Sequence, residues 1–199
     1  RDAAFLSWVN YLSTPAFYGD RSGGVASEFD EPTPTSKRGE RRLAAERAWI
    51  DTFLDTRVSV QIMRIAGIYG PGRSVIEQVA AGRARIIEKE GQVFNRIHVD
   101  DIGTSLIASM LRPNDQRIYN LADGNPCASG DVTRYACKLL QVEPPTPIKF
   151  EDAQLSDMAR SFYSECKILE TSRLRNELLV NLRYPSYKEG LRQILRDIN

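Results

Sequence analysis

The 199-residue chain has an ordinary globular composition, with 42% hydrophobic and 27% charged residues. Its 27 Lys and Arg residues nearly balance 26 Asp and Glu residues, so the formal net charge is only +1. This balance gives no electrostatic argument for nucleic acid or for an anionic membrane as a partner. No apolar run approaches the roughly 20 residues that a membrane span needs, and we expect no signal peptide at the N-terminus.

The cysteines and the histidine narrow the chemistry further. Cys127, Cys137 and Cys166 are odd in number and widely spaced, which is typical neither of a disulfide framework nor of a metal site. We therefore expect reduced thiols in a cytoplasmic protein without a metal centre. His98 is the single histidine of the chain.

The predicted elements alternate between strands and helices. A short apolar run that ends at Ser13 predicts a buried strand. A helix with an apolar stripe is predicted for residues 39–54, and the β-branched run 58–63 predicts the next strand. This order indicates a parallel α/β sheet. The later predicted elements are a short helix at 75–81, strands at 85–87 and 93–99, a helix capped by Asp100 or Asp101 that ends at Leu111, a strand at 118–121, a helix at 129–140 and a last helix that begins at Ser186 with a capping box.

Four short motifs follow one another along the chain. They are residues 11–20 (YLSTPAFYGD), 43–46 (LAAE), 64–72 (RIAGIYGPG) and 96–101 (RIHVDD). Their order and spacing resemble an atypical member of the extended short-chain dehydrogenases, the NAD-dependent epimerase/dehydratase-like family, and the resemblance covers nearly the whole sequence. It implies an α/β fold: a Rossmann-like doubly wound parallel sheet with a small, mostly helical C-terminal lobe.

The resemblance also implies how the chain is organised. Residues 1–143 correspond to the later part of a Rossmann-like NAD(P)-binding domain, and residues 144–199 to a small substrate lobe that interleaves with residues 67–99. The family opens with a βαβ unit that carries a Gly-rich fingerprint for the cofactor pyrophosphate, and these 199 residues contain no such fingerprint. The first half of the doubly wound sheet is therefore missing from these residues. We expect it to belong to a longer protein, because half a sheet on its own leaves a long apolar edge exposed.

One departure from the family concerns its proton-transfer pair, a tyrosine and a lysine four residues later. Counting back from Glu46 places these two positions at Arg38 and Arg42. Arginine stays protonated, so Arg38 cannot take the tyrosine's role, whereas Arg42 can keep the lysine's electrostatic part. Tyr18 is the candidate replacement phenol, because its turn borders the same cleft in the family; the alternative is that it packs in the core.

The remaining candidate residues lie on the same motifs. Ser13 and Thr14 end a parallel strand, where they either bond a ligand or cap a turn. We expect His98 to bond backbone near its strand end rather than to act as a base. By resemblance, catalysis falls to Ser13, Thr14, Tyr18, Arg38 and Arg42, cofactor binding to Ser13, Arg42, Ile65, Gly67 and Ile68, and substrate binding to Arg64, Tyr69 and Arg96.

Two functions stay open at this point. The first is an NAD(P)-dependent oxidoreductase or nucleotide-sugar epimerase/dehydratase-like enzyme with a degenerate Tyr-Lys pair, which uses NAD or NADP and a small-molecule substrate such as a nucleotide sugar. The second is a non-catalytic dinucleotide-binding sensor or scaffold, which Arg38 and Arg42 favour. A hydrolase that uses Ser13 and His98 is the third hypothesis. The resemblance further implies a homodimer.

Overall fold

The computed structural model describes residues 5–198. The strands are β1 (Trp8–Ser13), β2 (Val25–Ala26), β3 (Ser59–Ile65), β4 (Gly67–Tyr69), β5 (Ile87–Glu88), β6 (Arg96–His98), β7 (Arg117–Leu121), β8 (Ile148–Lys149) and β9 (Ile168–Leu169). The α-helices are α1 (Lys37–Phe53), α2 (Val75–Ala80), α3 (Val99–Leu111), α4 (Ser129–Leu140), α5 (Asp157–Phe162), α6 (Ser172–Asn176) and α7 (Tyr187–Ile198). Short 3-10 helices cover Pro15–Tyr18 and Phe150–Asp152.

A parallel sheet in the order β1-β3-β7 lies at the centre of the fold. Helix α1 connects β1 to β3, and α3 lies in the connection from β3 to β7. Parallel neighbours require such crossovers, because a short turn joins only antiparallel strands. The predicted parallel α/β architecture is therefore confirmed.

The two long helices cover opposite faces of the sheet. Successive side chains of a strand point to opposite faces, and β1 shows this directly. The Asn10 amide donates to Ser109 of α3 at 3.2 Å. The next residue, Tyr11, instead stacks on Trp49 of α1, with 5.9 Å between ring centroids. The result is three layers, with the sheet between α1 and α3.

The helix starts show which local signals were decisive. Helix α1 is predicted to within two residues, and the Ser36 hydroxyl caps it by accepting the Gly39 amide at 3.2 Å. The predicted acidic cap of α3 is wrong. The cap is His98, whose Nδ1 accepts the Asp100 amide at 3.2 Å. The carboxylate of Asp101 is engaged elsewhere, because it accepts amides of the segment that precedes α7.

The C-terminal residues pack into earlier parts of the chain. Strand β8 pairs with β5, and β9 pairs with β2. The capping box predicted for α7 is present in part: Ser186 Oγ donates to Glu189 and accepts the Lys188 amide at 3.2 Å. The strand predicted at 93–99 is shorter, because Phe94 leaves it to form an antiparallel bridge with Cys127. Within residues 5–198, no helix combines the length and the apolar character that crossing a membrane requires.

Candidate functional site

Three polar residues lie side by side near the carboxyl ends of the central strands. Ser13 of β1 is in register with Arg64 of β3, and Arg64 is in register with Asn120 of β7. Parallel sheets bind their ligands at this edge. All three side chains are nevertheless buried, because α1 and the 3-10 helix at Pro15–Tyr18 cover them. This polar row therefore belongs to the interior.

Arg64 forms an ion pair in the middle of this row. Its Nη2 lies 2.7 Å from Glu46 Oε2, and its Nε donates to Glu46 Oε1 at 3.2 Å. Ser13 Oγ donates to the same carboxylate. The Phe17 ring packs 3.3 Å from the guanidinium carbon, and Arg64 is only 1% exposed. The prediction that Arg64 binds substrate is wrong, because its fork is already satisfied inside the protein; the Ser13 hydroxyl is likewise engaged.

Tyr18 hydrogen-bonds two residues of the polar row. Its hydroxyl donates to Asn120 Oδ1 at 2.7 Å and accepts from Arg64 Nη1 at 2.9 Å. The residue is fully buried, and this burial raises the pKa of Tyr18 to about 12. A phenol that reaches no ligand and resists ionisation cannot serve as an acid or base near neutral pH. The prediction of Tyr18 as the replacement phenol is therefore wrong, and its packing alternative holds.

Glu28 is a member of this network that the sequence did not reveal. Its Oε1 accepts the Asn120 amide at 2.8 Å across 92 residues of sequence, and burial raises the pKa of the Glu28 carboxyl. It lies in a loop without periodicity, so no local pattern could have identified it.

Two other predicted residues have structural roles. Thr14 Oγ1 accepts the Ala16 amide at 3.5 Å and caps the 3-10 helix. Tyr69 is 9% exposed, and its ring fills the space where Gly190 of α7 has no side chain. The Tyr69 hydroxyl donates to the Ser186 carbonyl at 3.4 Å, and burial raises its pKa. The prediction that Tyr69 binds substrate is wrong, because the side chain packs against α7.

The Ser13–His98 hydrolase is also contradicted by the geometry. His98 is buried, its Nδ1 accepts the Asp100 amide, and its ring packs edge-on against Tyr69. Ser13 bonds Glu46 on a different element. Burial lowers the pKa of the His98 imidazole, so the neutral ring serves as a helix cap.

The residues that remain accessible form the candidate site at the sheet's carboxyl edge. Arg38 and Arg42 of α1 are exposed, Gly67 is exposed, and Ile68 is 37% exposed. Ile65 lies buried at the end of β3. The edge therefore presents two guanidinium groups and an open stretch of backbone, while the polar row lies beneath.

A cavity of about 470 Å³ lies between β5, β8 and the start of α4. Its size is within the range of small-molecule sites. Arg96 adjoins it, because Arg96 Nη1 donates to the carbonyl of Phe94, a lining residue, at 2.9 Å. Its other aromatic and charged lining residues are Glu88, Lys89, Glu90, Arg134, Lys149, Glu151 and Tyr163.

The three cysteines are free thiols, and within residues 5–198 no group of three or more His, Cys, Asp or Glu side chains is arranged to hold a metal ion.

The chain is similar in sequence to several known proteins. No family model matches the chain. It is 30% identical over 178 residues to Protein YeeZ of Escherichia coli K12, which covers 89% of this chain and 58% of YeeZ. It is 28% identical over 120 residues to the dTDP-L-rhamnose 4-epimerase of Burkholderia thailandensis, covering 52% of this chain and 32% of the epimerase. The chain thus spans less than two thirds of the curated relatives it matches.

Solved structures match the fold over almost the whole chain. A functionally unknown conserved protein from Silicibacter pomeroyi superposes with a TM-score of 0.91 at 44% identity, covering 96% of this chain and 66% of that protein. MoeE5, solved in complex with UDP-glucose and NAD, superposes with a TM-score of 0.78 at 23% identity, covering 97% of this chain and 66% of MoeE5. At 23% identity the second likeness shows the fold alone.

The fold and its ligand edge define a Rossmann-like α/β protein. Its similarity in sequence to a nucleotide-sugar epimerase and in fold to MoeE5 supports the resemblance to the NAD-dependent epimerase/dehydratase-like family predicted from its four motifs.

Proposed function

We propose that this protein is an NAD(P)-dependent oxidoreductase or epimerase/dehydratase-like enzyme that acts on a nucleotide sugar or a similar alcohol. The observation that carries the proposal is the carboxyl edge of the central sheet, where the backbone at Gly67 and Ile68 and the guanidinium groups of Arg38 and Arg42 are exposed. The protein also has a cavity of about 470 Å³ between β5, β8 and the start of α4. MoeE5, which shares the fold, is a protein solved with both UDP-glucose and NAD.

The residues of this edge suit a dinucleotide. Gly67 lets the chain pass without a side chain, and its own amide is engaged with the Asn95 carbonyl at 3.0 Å, which fixes the loop. Arg42 would hold a ribose or phosphate oxygen, and Ile68 would cover an apolar ring, with Ser13 and Ile65 supporting the loop from below. The nicotinamide, when bound, supplies the hydride chemistry.

Substrate recognition falls to the cavity and its neighbour Arg96. The Phe94 and Tyr163 rings pack edge to face, with 5.1 Å between their centroids, and give the cavity an apolar wall. The charged part of its lining is mixed, because Lys89 and Lys149 lie with Glu88, Glu90 and Glu151, and Arg134 is paired with Glu88. The apolar wall suits the base or sugar ring of a nucleotide sugar, and the polar groups suit its hydroxyls.

A titration of the whole protein with NAD and NADP tests the proposal. Nucleotide sugars are then added while the absorbance of the reduced cofactor is followed. The Ile68→Glu variant should bind the dinucleotide at least tenfold more weakly, because it places a charged carboxylate where Ile68 would cover an apolar ring. The matched control is Ile107→Glu on α3, where the original side chain is also exposed. Absence of dinucleotide binding in the wild type would refute the proposal.

The second candidate is a non-catalytic dinucleotide-binding sensor or scaffold. The burial of Tyr18 favours it, since a buried phenol with a raised pKa does not replace the family's tyrosine. Dinucleotide binding without turnover across a broad panel of nucleotide sugars would decide for this candidate.

Two further proposals concern the cellular location and the oligomeric state. Free thiols at Cys127, Cys137 and Cys166 are typical of a reducing compartment and support a cytoplasmic location. A homodimer packed through α1 follows from the family resemblance, and light scattering of the purified protein measures it directly.

A further inference from the structure

The first two turns of α1 concentrate positive charge. Lys37, Arg38, Arg41 and Arg42 are all exposed there, against the single acidic residue Glu40. Cations at a helix N-terminus oppose the helix dipole, and like charges four residues apart repel one another. This arrangement lowers helix stability, so the folding of α1 does not explain it.

These charges are not neutralised by the surrounding chain. Among residues 5–198, no carboxylate lies within 4.0 Å of the four basic side chains. Arg42 Nη1 donates to the neutral hydroxyl of Tyr11 at 2.8 Å. The Arg38 guanidinium faces the Phe162 ring, 5.0 Å from its centroid. Both contacts orient a cation and leave its charge intact.

The contacts of α1 place Arg38 and Arg42 at the ligand edge. Trp49 stacks on Tyr11 in the middle of β1, whereas Glu46 contacts Ser13 at the strand's carboxyl end. The helix therefore runs antiparallel to β1, and its first two turns extend beyond the carboxyl end of the strand. The contact of Arg38 with Phe162 of α5 brings the C-terminal part of the chain to the opposite side of this edge.

We propose that Arg38 and Arg42 together bind a phosphate group at the carboxyl edge of the sheet. The two positions lie on one face of α1, with roughly 5–6 Å between their Cβ atoms. Each guanidinium fork donates two parallel hydrogen bonds to oxyanion oxygens, and two cations match a phosphate dianion. The proposal deepens the proposed function and rests on it for the setting of the site. The phosphate belongs either to the substrate or to the dinucleotide.

A fluorescence titration with inorganic phosphate and pyrophosphate tests this site in the whole protein at constant ionic strength. Trp49 is the reporter, because it stacks on Tyr11, and the Tyr11 hydroxyl bonds Arg42. The Arg38→Gln/Arg42→Gln double variant should lose at least tenfold in affinity for both anions. Arg47→Gln is the matched control: Arg47 is exposed on the same helix, five residues beyond Arg42, and its loss should change affinity less than twofold.

A melting curve excludes misfolding as the cause of lost binding. The double variant should melt no lower than the wild type, because its substitutions remove like-charge repulsion. Pyrophosphate should raise the melting temperature of the wild type and of Arg47→Gln but not that of the double variant. Equal anion affinity in the double variant and the wild type overturns the proposal, as does an equal loss in Arg47→Gln.

Dinucleotide titrations of the same variants separate the sources of the phosphate. Loss of anion binding with intact NAD(P) binding assigns the site to a substrate phosphate. Loss of both assigns it to the dinucleotide. If the wild type binds pyrophosphate through Arg38 and Arg42 but binds no dinucleotide, the phosphate site stands while the proposed function fails.

Discussion

The interior polar row and the exposed edge of α1 use the same side chain in opposite ways. Arg64 is 1% exposed and is held by Glu46 and Tyr18. Arg38 and Arg42 are exposed, and among the described residues Arg38 faces the Phe162 ring and Arg42 bonds the Tyr11 hydroxyl. A buried charge must be satisfied by the protein itself. A solvated charge stays available for a ligand. Arginine at a ligand edge therefore indicates binding only when the fold leaves it unpaired.

Breaking the interior pair should give the largest effect. Glu46→Ala leaves the Arg64 charge buried without its carboxylate, which costs about 3–5 kcal/mol of unfolding free energy. Guanidinium denaturation measures the loss. The control is Glu40→Ala, an exposed glutamate on the same helix, which should lose no more than about 1 kcal/mol, because Glu40 interacts favourably with the helix dipole. Similar losses for the two variants would show that the buried pair contributes nothing special.

A second buried charge gives the interior a pH dependence. Asp123 is 5% exposed, its Oδ1 accepts the Asn125 amide at 2.8 Å, and within the described residues its Oδ2 has no partner. Burial raises the pKa of Asp123 to about 7, from an ordinary value of 3.8. The folded state thus binds the proton more tightly than the unfolded state. The stability this confers is complete below pH 4 and is lost as pH rises to about 7.

The Asp123→Asn variant tests that dependence. Above pH 7 it should be more stable than the wild type by about 2–4 kcal/mol, with the difference vanishing towards pH 4. His98, whose pKa is lowered by burial, contributes equally to both proteins, so the difference isolates the carboxyl. Denaturation midpoints between pH 4 and pH 8 give the measurement, and a difference independent of pH would contradict the assignment.

Tyr18→Phe sharpens the distinction between packing and catalysis. The variant removes the hydroxyl that donates to Asn120 and accepts from Arg64. It should lose about 1–3 kcal/mol of unfolding free energy. Dinucleotide binding and any turnover should stay unchanged below the melting temperature, because the phenol is buried. A selective loss of turnover, with stability intact, would restore Tyr18 to the chemistry.

The smallest effect is expected at the exposed edge. Arg38→Gln should raise the unfolding free energy by a few tenths of a kcal/mol, because it relieves repulsion from Arg42 and from the helix dipole. Thermal melting at low and high salt measures it, and the gain should shrink as salt screens the charges. A clear destabilisation would mean that Arg38 supports the fold through its contact with Phe162.

Local sequence determined the elements. Periodic apolar positions predicted α1 and α4 to within two residues of their observed ends, and the Ser186–Glu189 pair predicted the start of α7. Such signals act over three or four residues, so they can be read without the fold. The order of motifs predicted the family resemblance, and counting back from Glu46 predicted that Arg38 and Arg42 stand at the positions of the family's Tyr-Lys pair.

Only the tertiary structure decided which polar residues face inward. Tyr18 meets Asn120 across 102 residues, and Glu28 meets the same residue across 92. Burying a polar side chain is tolerated when a partner is present, and the sequence does not show which distant residue supplies it. The sequence motifs therefore predicted ligand-binding roles for Arg64 and Tyr18. In the structure both residues are buried, and Glu46 of α1 bonds Arg64.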